Sequence, residues 1–204
     1  MDARAHWEQV YATKDPQQVS WFRPHLERSL ELIERAAPDR GRSILDVGAG
    51  ESTLVDDLLG LGYANVTVLE ISRAALDGLK RRVGPAGAAV QWICGDVMET
   101  ALPEAGFDVW HDRAVFHFLT ETGLRRAYVE QVGRALKPGG SLIVSTFGPL
   151  GPERCSGLAT MRYDEASLGR EFGDRFRLVE SSLEMHTTPS GGEQQFLCCW
   201  YRFS

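Results

Sequence analysis

Three acids follow short apolar runs at comparable places in the chain: Asp46 in "ILDVGAG", Glu70 in "VTVLEIS" and Asp96 in "WICGDV". Short apolar runs bounded by turn residues mark buried strands. Each acid is therefore expected at a strand's carboxyl end, where open α/β sheets bind their ligands. Gly48 and Gly50, with Ala49 between them, supply the tight turn that lets backbone approach a ligand closely. A dinucleotide turn of the G-x-G-x-x-G type would carry a third glycine where Thr53 stands. Asp46 would also repel a pyrophosphate, whereas it attracts an ammonium or a sulfonium. Glu70 lies about 20 residues beyond the glycine turn, where an acid takes both hydroxyls of a ribose. Asp96 offers a carboxylate to an exocyclic amino group and Val97 its N–H to a ring nitrogen, with Ile71 and Val97 sandwiching a purine. Taken singly, Asp46 is an ordinary helix-proximal acid and Glu70 a solvated strand terminus; three in register favour a ligand.

A second constellation, "WHDRAVFHFL", follows a fourth apolar run and brings His111, Asp112, Arg113 and His117 together. Arg113 directly follows the expected strand end and is the leading candidate for contact with a reacting group, against the alternative of a solvated surface arginine. His111 reads equally as a strand residue with a satisfied imidazole, and His117 sits between Phe116 and Phe118. Asp112 is the cluster's one carboxylate. No set of carboxylates converges there as a metal site requires, so no metal is expected.

Strand, turn and helix alternate to position these residues. "RSILDV" leads into "ESTLVDDLLGLG", with Leu54, Leu58 and Leu61 on one helical stripe. "NVTVLEIS" leads into "RAALDGLKRRV", where Ser72 can cap the helix and Ile71 and Leu76 can staple its start. "AAVQWICGD" is a third strand and "FDVWHDRAVFHFL" a fourth; a helix over about Glu121–Lys137 precedes a fifth, "SLIVSTF". An earlier helix begins near Pro24 in "PHLERSLELIERAAP", and Asp164 can cap a late one. "FRLVESSLEM" and "QQFLCCWYRF" close the chain as a hairpin. Repeated βα units imply a parallel sheet with helices on both faces.

The 204 residues suit one domain, residues 1–204. A formal charge of -6 gives no global field for nucleic acid or anionic lipid. The opening "MDARAHWEQV" lacks the basic start and apolar run of a secretory signal, and no run approaches a membrane span, so a cytoplasmic protein is expected. Cys94, Cys155, Cys198 and Cys199 form no C-x-x-C pair and are expected as reduced thiols, with Cys94 and one of the adjacent pair buried and Cys155 an inert loop residue. The oligomeric state is not legible.

In order and spacing, "LDVGAGES", "VTVLEIS", "CGDV", "FDVWHDRAVFHFL" and "LKPGGSLIVSTF" resemble the successive motifs of class I S-adenosylmethionine-dependent methyltransferases, over about residues 40 to 147. The resemblance implies a Rossmann-like, doubly wound, seven-stranded α/β sheet, mostly parallel, whose antiparallel strand comes from the C-terminal hairpin. It implies S-adenosyl-L-methionine as cofactor, a molecule with an ammonium, a sulfonium and no phosphate. Trp21, Ala49 and Asp112 join the cofactor contacts named above, and the acceptor meets the fourth-strand end.

A looser resemblance is to thiopurine and small-thiol S-methyltransferases, through the aromatic N-terminal segment, "DRA", "RRAY" and a closing "GP...RY" loop. It implies that Arg113 and Arg125 or Arg126 stabilise a thiolate and that Trp7, Trp21 and Phe22 frame the cofactor. Residues 1–38 would then form a helical lid and 148–163 a cap loop over the acceptor. Small lysine methyltransferases are a competing resemblance, with a D-K-G-like motif where "DRA" stands. The expected partner is a small-molecule methyl acceptor, with transfer to a thiol or sulfide sulfur. Protein lysine N-methylation is the runner-up, metal-dependent catechol methylation third, and a non-enzymatic sensor or partner subunit the alternative outside catalysis.

Overall fold

A computed structural model of the chain describes residues 2–204; Met1, the first residue of the expected 1–38 lid, lies outside them. The strands are β1 (Ser43–Val47), β2 (Asn65–Glu70), β3 (Gln91–Cys94), β4 (Phe107–Arg113), β5 (Leu136–Phe147), β6 (Arg154–Cys155), β7 (Leu158–Ala159), β8 (Phe176–Thr187) and β9 (Glu193–Phe203). The helices are α1 (Ala3–Thr13), α2 (Glu27–Ala36), α3 (Leu54–Gly60), α4 (Arg73–Val83), α5 (Thr122–Ala135) and α6 (Glu165–Phe172). Seven strands pair in the order β3-β2-β1-β4-β5-β9-β8, and β6 with β7 makes a separate small ladder. β1 to β5 run parallel, while β9 lies antiparallel between β5 and β8. The expected seven-stranded, mostly parallel α/β sheet is the one observed. Strand order reverses at β1 and β4, which opens the crevice beyond their carboxyl ends.

Period-two alternation sorts each strand between two cores. Ile44, Val66, Val68, Val109 and Ile143 pack with Leu32 and Ile33 of α2, Leu54 and Leu58 of α3, and Leu76 and Leu79 of α4. Leu45, Val47, Trp110, Leu142 and Val144 pack on the other face with Tyr128 and Val132 of α5 and Leu168 and Phe172 of α6. The local signals hold where chemistry is local: Ser72 Oγ accepts from Ala75 N–H at the start of α4, and Asp164 with Ser167 forms a full capping box on α6.

Three boundaries differ from expectation. The fourth strand takes in Arg113, expected just past its end, and stops there short of the rest of "FDVWHDRAVFHFL", because Ala114 turns to φ 72° and Asp112 ties down the next turn through the N–H groups of Val115 and Phe116. The fifth strand begins at Leu136, at the end of α5, well before Ser141. α2 belongs to the core and not to a lid, since Leu32 and Ile33 are fully buried beneath the sheet. Among the described residues no helix is long and apolar enough to cross a membrane.

Candidate active site

A cavity of about 550 Å³ lies at the strand carboxyl ends, a size suited to a small-molecule site. Asp46, at the end of β1, is 2% exposed. Its Oδ1 lies 2.7 Å from His111 Nδ1, and its Oδ2 is buried with no partner. Glu70, at the end of β2, accepts from Gly50 N–H and Ser72 N–H, both at 2.8 Å. Burial pushes its carboxyl up to about 7, Asp46's charge adds to this, and the backbone donors oppose it. Gly48 and Gly50 hold φ of 64° and 54°. A Cβ on the first would strike Val115 and on the second the Tyr11 hydroxyl, so both must stay glycine. Asp96 Oδ1 accepts from Met98 N–H at 2.8 Å, which fixes the loop after β3. Ala49, Ile71 and Val97 line the same end of the cavity.

The far end is built around Arg113, Phe147, Phe196 and Cys155. Arg113 donates from Nη1 to the Trp21 carbonyl oxygen at 3.2 Å and lies 4.7 Å from the Phe196 ring centroid. Among the described residues no carboxylate comes within 4.0 Å of its guanidinium. Burial and the neighbouring Arg23 charge pull its pKa down to about 10, so it stays cationic at neutral pH. Cys155 is 7% exposed, with Sγ 4.0 Å from Ser20 Oγ, and burial raises its thiol pKa.

The N-terminal segment covers both ends. Trp7 packs edge-on to Trp21 and Phe118, and Tyr11 packs edge-on to Trp21. α1 is held down by Glu8, whose Oε2 accepts from Ser72 Oγ at 2.8 Å and from Ala74 N–H at 3.2 Å. The carboxylate thus sits at the positive end of α4. Phe22 also reaches the cavity, as do Leu158 and Ala159 of the 148–163 loop.

Asp46, Gly48, Ala49, Glu70, Ile71, Asp96, Val97, Trp21 and Arg113 therefore meet around one space, and Gly50 joins the wall through Glu70. Four other expected site residues do not. Asp112 points to the opposite face of β4 from His111 and Arg113; it is fully buried, and it accepts from Val115, Phe116 and the Tyr128 hydroxyl. It is a structural cap, and neither the cofactor nor the acceptor role stands. His117 is fully buried, stacked on Phe147, and accepts the Phe147 N–H at Nδ1. Burial and the Arg113 charge take its pKa down to about 3, so the ring is neutral at neutral pH, with its one N–H on the buried Nε2. Arg125 is spent on Glu171, the carbonyls of Leu119 and Thr120, and Thr122, while Arg126 faces solvent.

Two cysteine expectations also change. Cys94 is only half-buried, because β3 is an edge strand, and Cys155, expected in a loop, ends the short strand β6 and is buried. Sequence reasoning missed Tyr11, Glu51, Phe147 and Phe196, all of which line the cavity. Phe147 had a signal available, since it ends the fifth strand as Glu70 ends the second.

Comparison with known proteins agrees with this architecture. The family described as a methyltransferase domain matches residues 44–140. An uncharacterized methyltransferase of Mycobacterium bovis is 32% identical over 116 residues, 57% of this chain and 56% of that protein. The eEF1A lysine and N-terminal methyltransferase of Mus musculus is 26% identical over 141 residues, 66% of this chain and 20% of that protein. The chain thus spans little more than half the length of the first of these relatives and a fifth of the second. N-methyltransferase NodS from Bradyrhizobium japonicum, solved with S-adenosyl-L-homocysteine, superposes with a TM-score of 0.75 at 16% identity, covering 100% of this chain and 99% of that one. Residues 44–140 thus match a methyltransferase domain, and the seven-stranded sheet is the Rossmann-like fold of S-adenosylmethionine-dependent methyltransferases.

Proposed function

We propose that the protein transfers a methyl group from S-adenosyl-L-methionine to a small-molecule acceptor, at a thiol or sulfide sulfur. The cofactor reading rests on fit. The unpartnered Oδ2 of Asp46 suits an ammonium, and Glu70 has lone pairs left for ribose hydroxyls after two backbone N–H groups. The charged groups that line the cavity at the glycine turn are Asp46, Glu51 and Glu70; Arg82 reaches the turn from outside the cavity lining and is held by the carbonyl oxygens of Glu51 and Ser52. When bound, the cofactor supplies a methyl group activated on a sulfonium.

The acceptor reading rests on one observation, the unneutralised Arg113 guanidinium at the far end of the cavity. A thiol has an ordinary pKa of about 8.5, and a fixed cation beside it favours the thiolate, which is the nucleophile. A lysine acceptor would arrive as an ammonium and meet repulsion at the same place. Transfer needs no covalent enzyme intermediate, so the remaining contribution of the chain is alignment and exclusion of water by Trp7, Trp21, Phe118, Phe147 and Phe196.

Protein lysine methylation is the second reading, favoured by the likeness to the mouse enzyme. Incubation with sulfide, methanethiol, a thiopurine, small amines and cell lysate, following S-adenosylhomocysteine release, separates the two. Turnover on a thiol that falls in Arg113→Leu supports the proposal. Methylation confined to a protein band overturns it.

A further inference from the structure

Asp46 and His111 are register partners on the adjacent parallel strands β1 and β4, so their side chains rise from the same face of the sheet. His111 Nδ1 lies 2.7 Å from Asp46 Oδ1, and His111 Nε2 lies 2.9 Å from Ser29 Oγ of α2. All three residues are at most 3% exposed. An ionised carboxylate only accepts, so Nδ1 carries the proton, and Nε2 of the neutral ring then accepts from the Ser29 hydroxyl. The chain of donors runs Ser29 to His111 to Asp46.

Its order is that of an acid–base–nucleophile triad, but Ser29 is no nucleophile. Asp46 and His111 line the large cavity, whereas Ser29 faces an adjoining cleft of about 10 Å³ with Arg28, Ser145 and Glu184, which shares Arg23, Leu26, Arg113 and Phe196 with the cavity. That space admits at most about one water. The influence therefore runs toward the cavity. His111 occupies Oδ1 and fixes the carboxylate plane, which leaves Oδ2 as the buried oxygen without a donor.

We propose that His111 is a positioning residue for the methyl donor: tied to α2 through Ser29, it aims Asp46 Oδ2 at the α-ammonium of the donor's amino-acid portion. This rests on the cofactor reading above and adds a selectivity to it. Donor analogues with an amino-acid tail should sense His111, and analogues without one should not.

Two thio-adenosines test this by calorimetry: S-adenosylhomocysteine, which keeps the α-ammonium, and 5′-methylthioadenosine, which lacks the amino-acid portion. His111→Leu is expected to weaken S-adenosylhomocysteine about tenfold or more, the loss of one charge-assisted contact, and to leave methylthioadenosine within about twofold. His111→Asn returns a donor near the Nδ1 position and should recover most of the lost affinity. Ser29→Ala, a smaller change, should show the same selective loss at about threefold if His111→Leu does not fold. In an Asp46→Ala background, His111→Leu should add nothing. Equal weakening of both ligands by His111→Leu, or by Ser29→Ala in its place, makes the chain mere packing and overturns the proposal. An undiminished affinity for S-adenosylhomocysteine also overturns it. Wild-type protein that binds neither compound overturns the cofactor reading instead.

Discussion

Cofactor affinity should depend on pH through Glu70. Its carboxyl is held at about 7 in the free protein, because burial disfavours the charged form more than the Gly50 and Ser72 N–H groups favour it. Ribose hydroxyls donating to this carboxylate favour its charged form, so binding returns the pKa toward its ordinary value and releases a proton wherever the free enzyme holds one. The protonated fraction of the free enzyme is about 0.9 at pH 6 and about 0.1 at pH 8. Affinity for S-adenosylhomocysteine should therefore fall about tenfold from pH 8 to pH 6 and stay nearly flat above pH 8. Calorimetry in two buffers of different ionisation enthalpy should count about 0.9 proton released per ligand at pH 6.

Stability of the free protein has the opposite dependence. A carboxyl whose folded pKa is raised stabilises the fold below its unfolded value, and this contribution is lost as pH rises from about 4.5 to 7, by about 3 kcal/mol in total. The difference in Tm between wild type and Glu70→Gln isolates this from Asp112, which burial raises to about 6 with the same sign. A proton count near zero at pH 6, with ligand bound, refutes the reasoning.

Other perturbations separate the roles assigned here. Arg113→Leu should leave the Kd for S-adenosylhomocysteine within about twofold and lower thiol turnover about a hundredfold, measured as kcat/KM at saturating cofactor. A loss of cofactor affinity alone would put Arg113 at the wrong end of the cavity. Asp112→Ala strands three buried donors, those of Val115, Phe116 and Tyr128, and should cost about 3–5 kcal/mol in urea unfolding. Arg125→Ala should reduce stability by about 1–2 kcal/mol and keep turnover, because its guanidinium joins α5 to α6 and does not reach the cavity. Glu8→Ala removes the contact of α1 with the start of α4. It should speed cofactor release about threefold to tenfold by stopped-flow fluorescence of the nearby tryptophans.

What was legible in the sequence was what local chemistry decides. Asp46, Glu70 and Asp96 could be placed because a strand-ending acid beside a turn is fixed by its own neighbours. The Ser72 and Asp164 caps followed from side chains that reach only three residues along the chain. Asp112 failed for a reason the sequence itself contained. Alternation along β4 puts His111 and Arg113 on one face and the residue between them on the other, so the three could never share a site. His117 and Arg125 lie past the strand, in a tight turn and a helix whose rotation is set by packing against β5 and α6, and no periodicity in their own segment reports it. The remaining parts join distant stretches: Glu8 with Ser72, Cys155 with Ser20, His111 with Asp46. Each of these pairs is brought together by the sheet order, and only that order turns an amphipathic opening segment into the wall of a cavity. The same dependence makes the site sensitive at a distance, because α4 holds the N-terminal cover through Glu8 and α2 reaches, through Ser29 and His111, the carboxylate that faces the ligand.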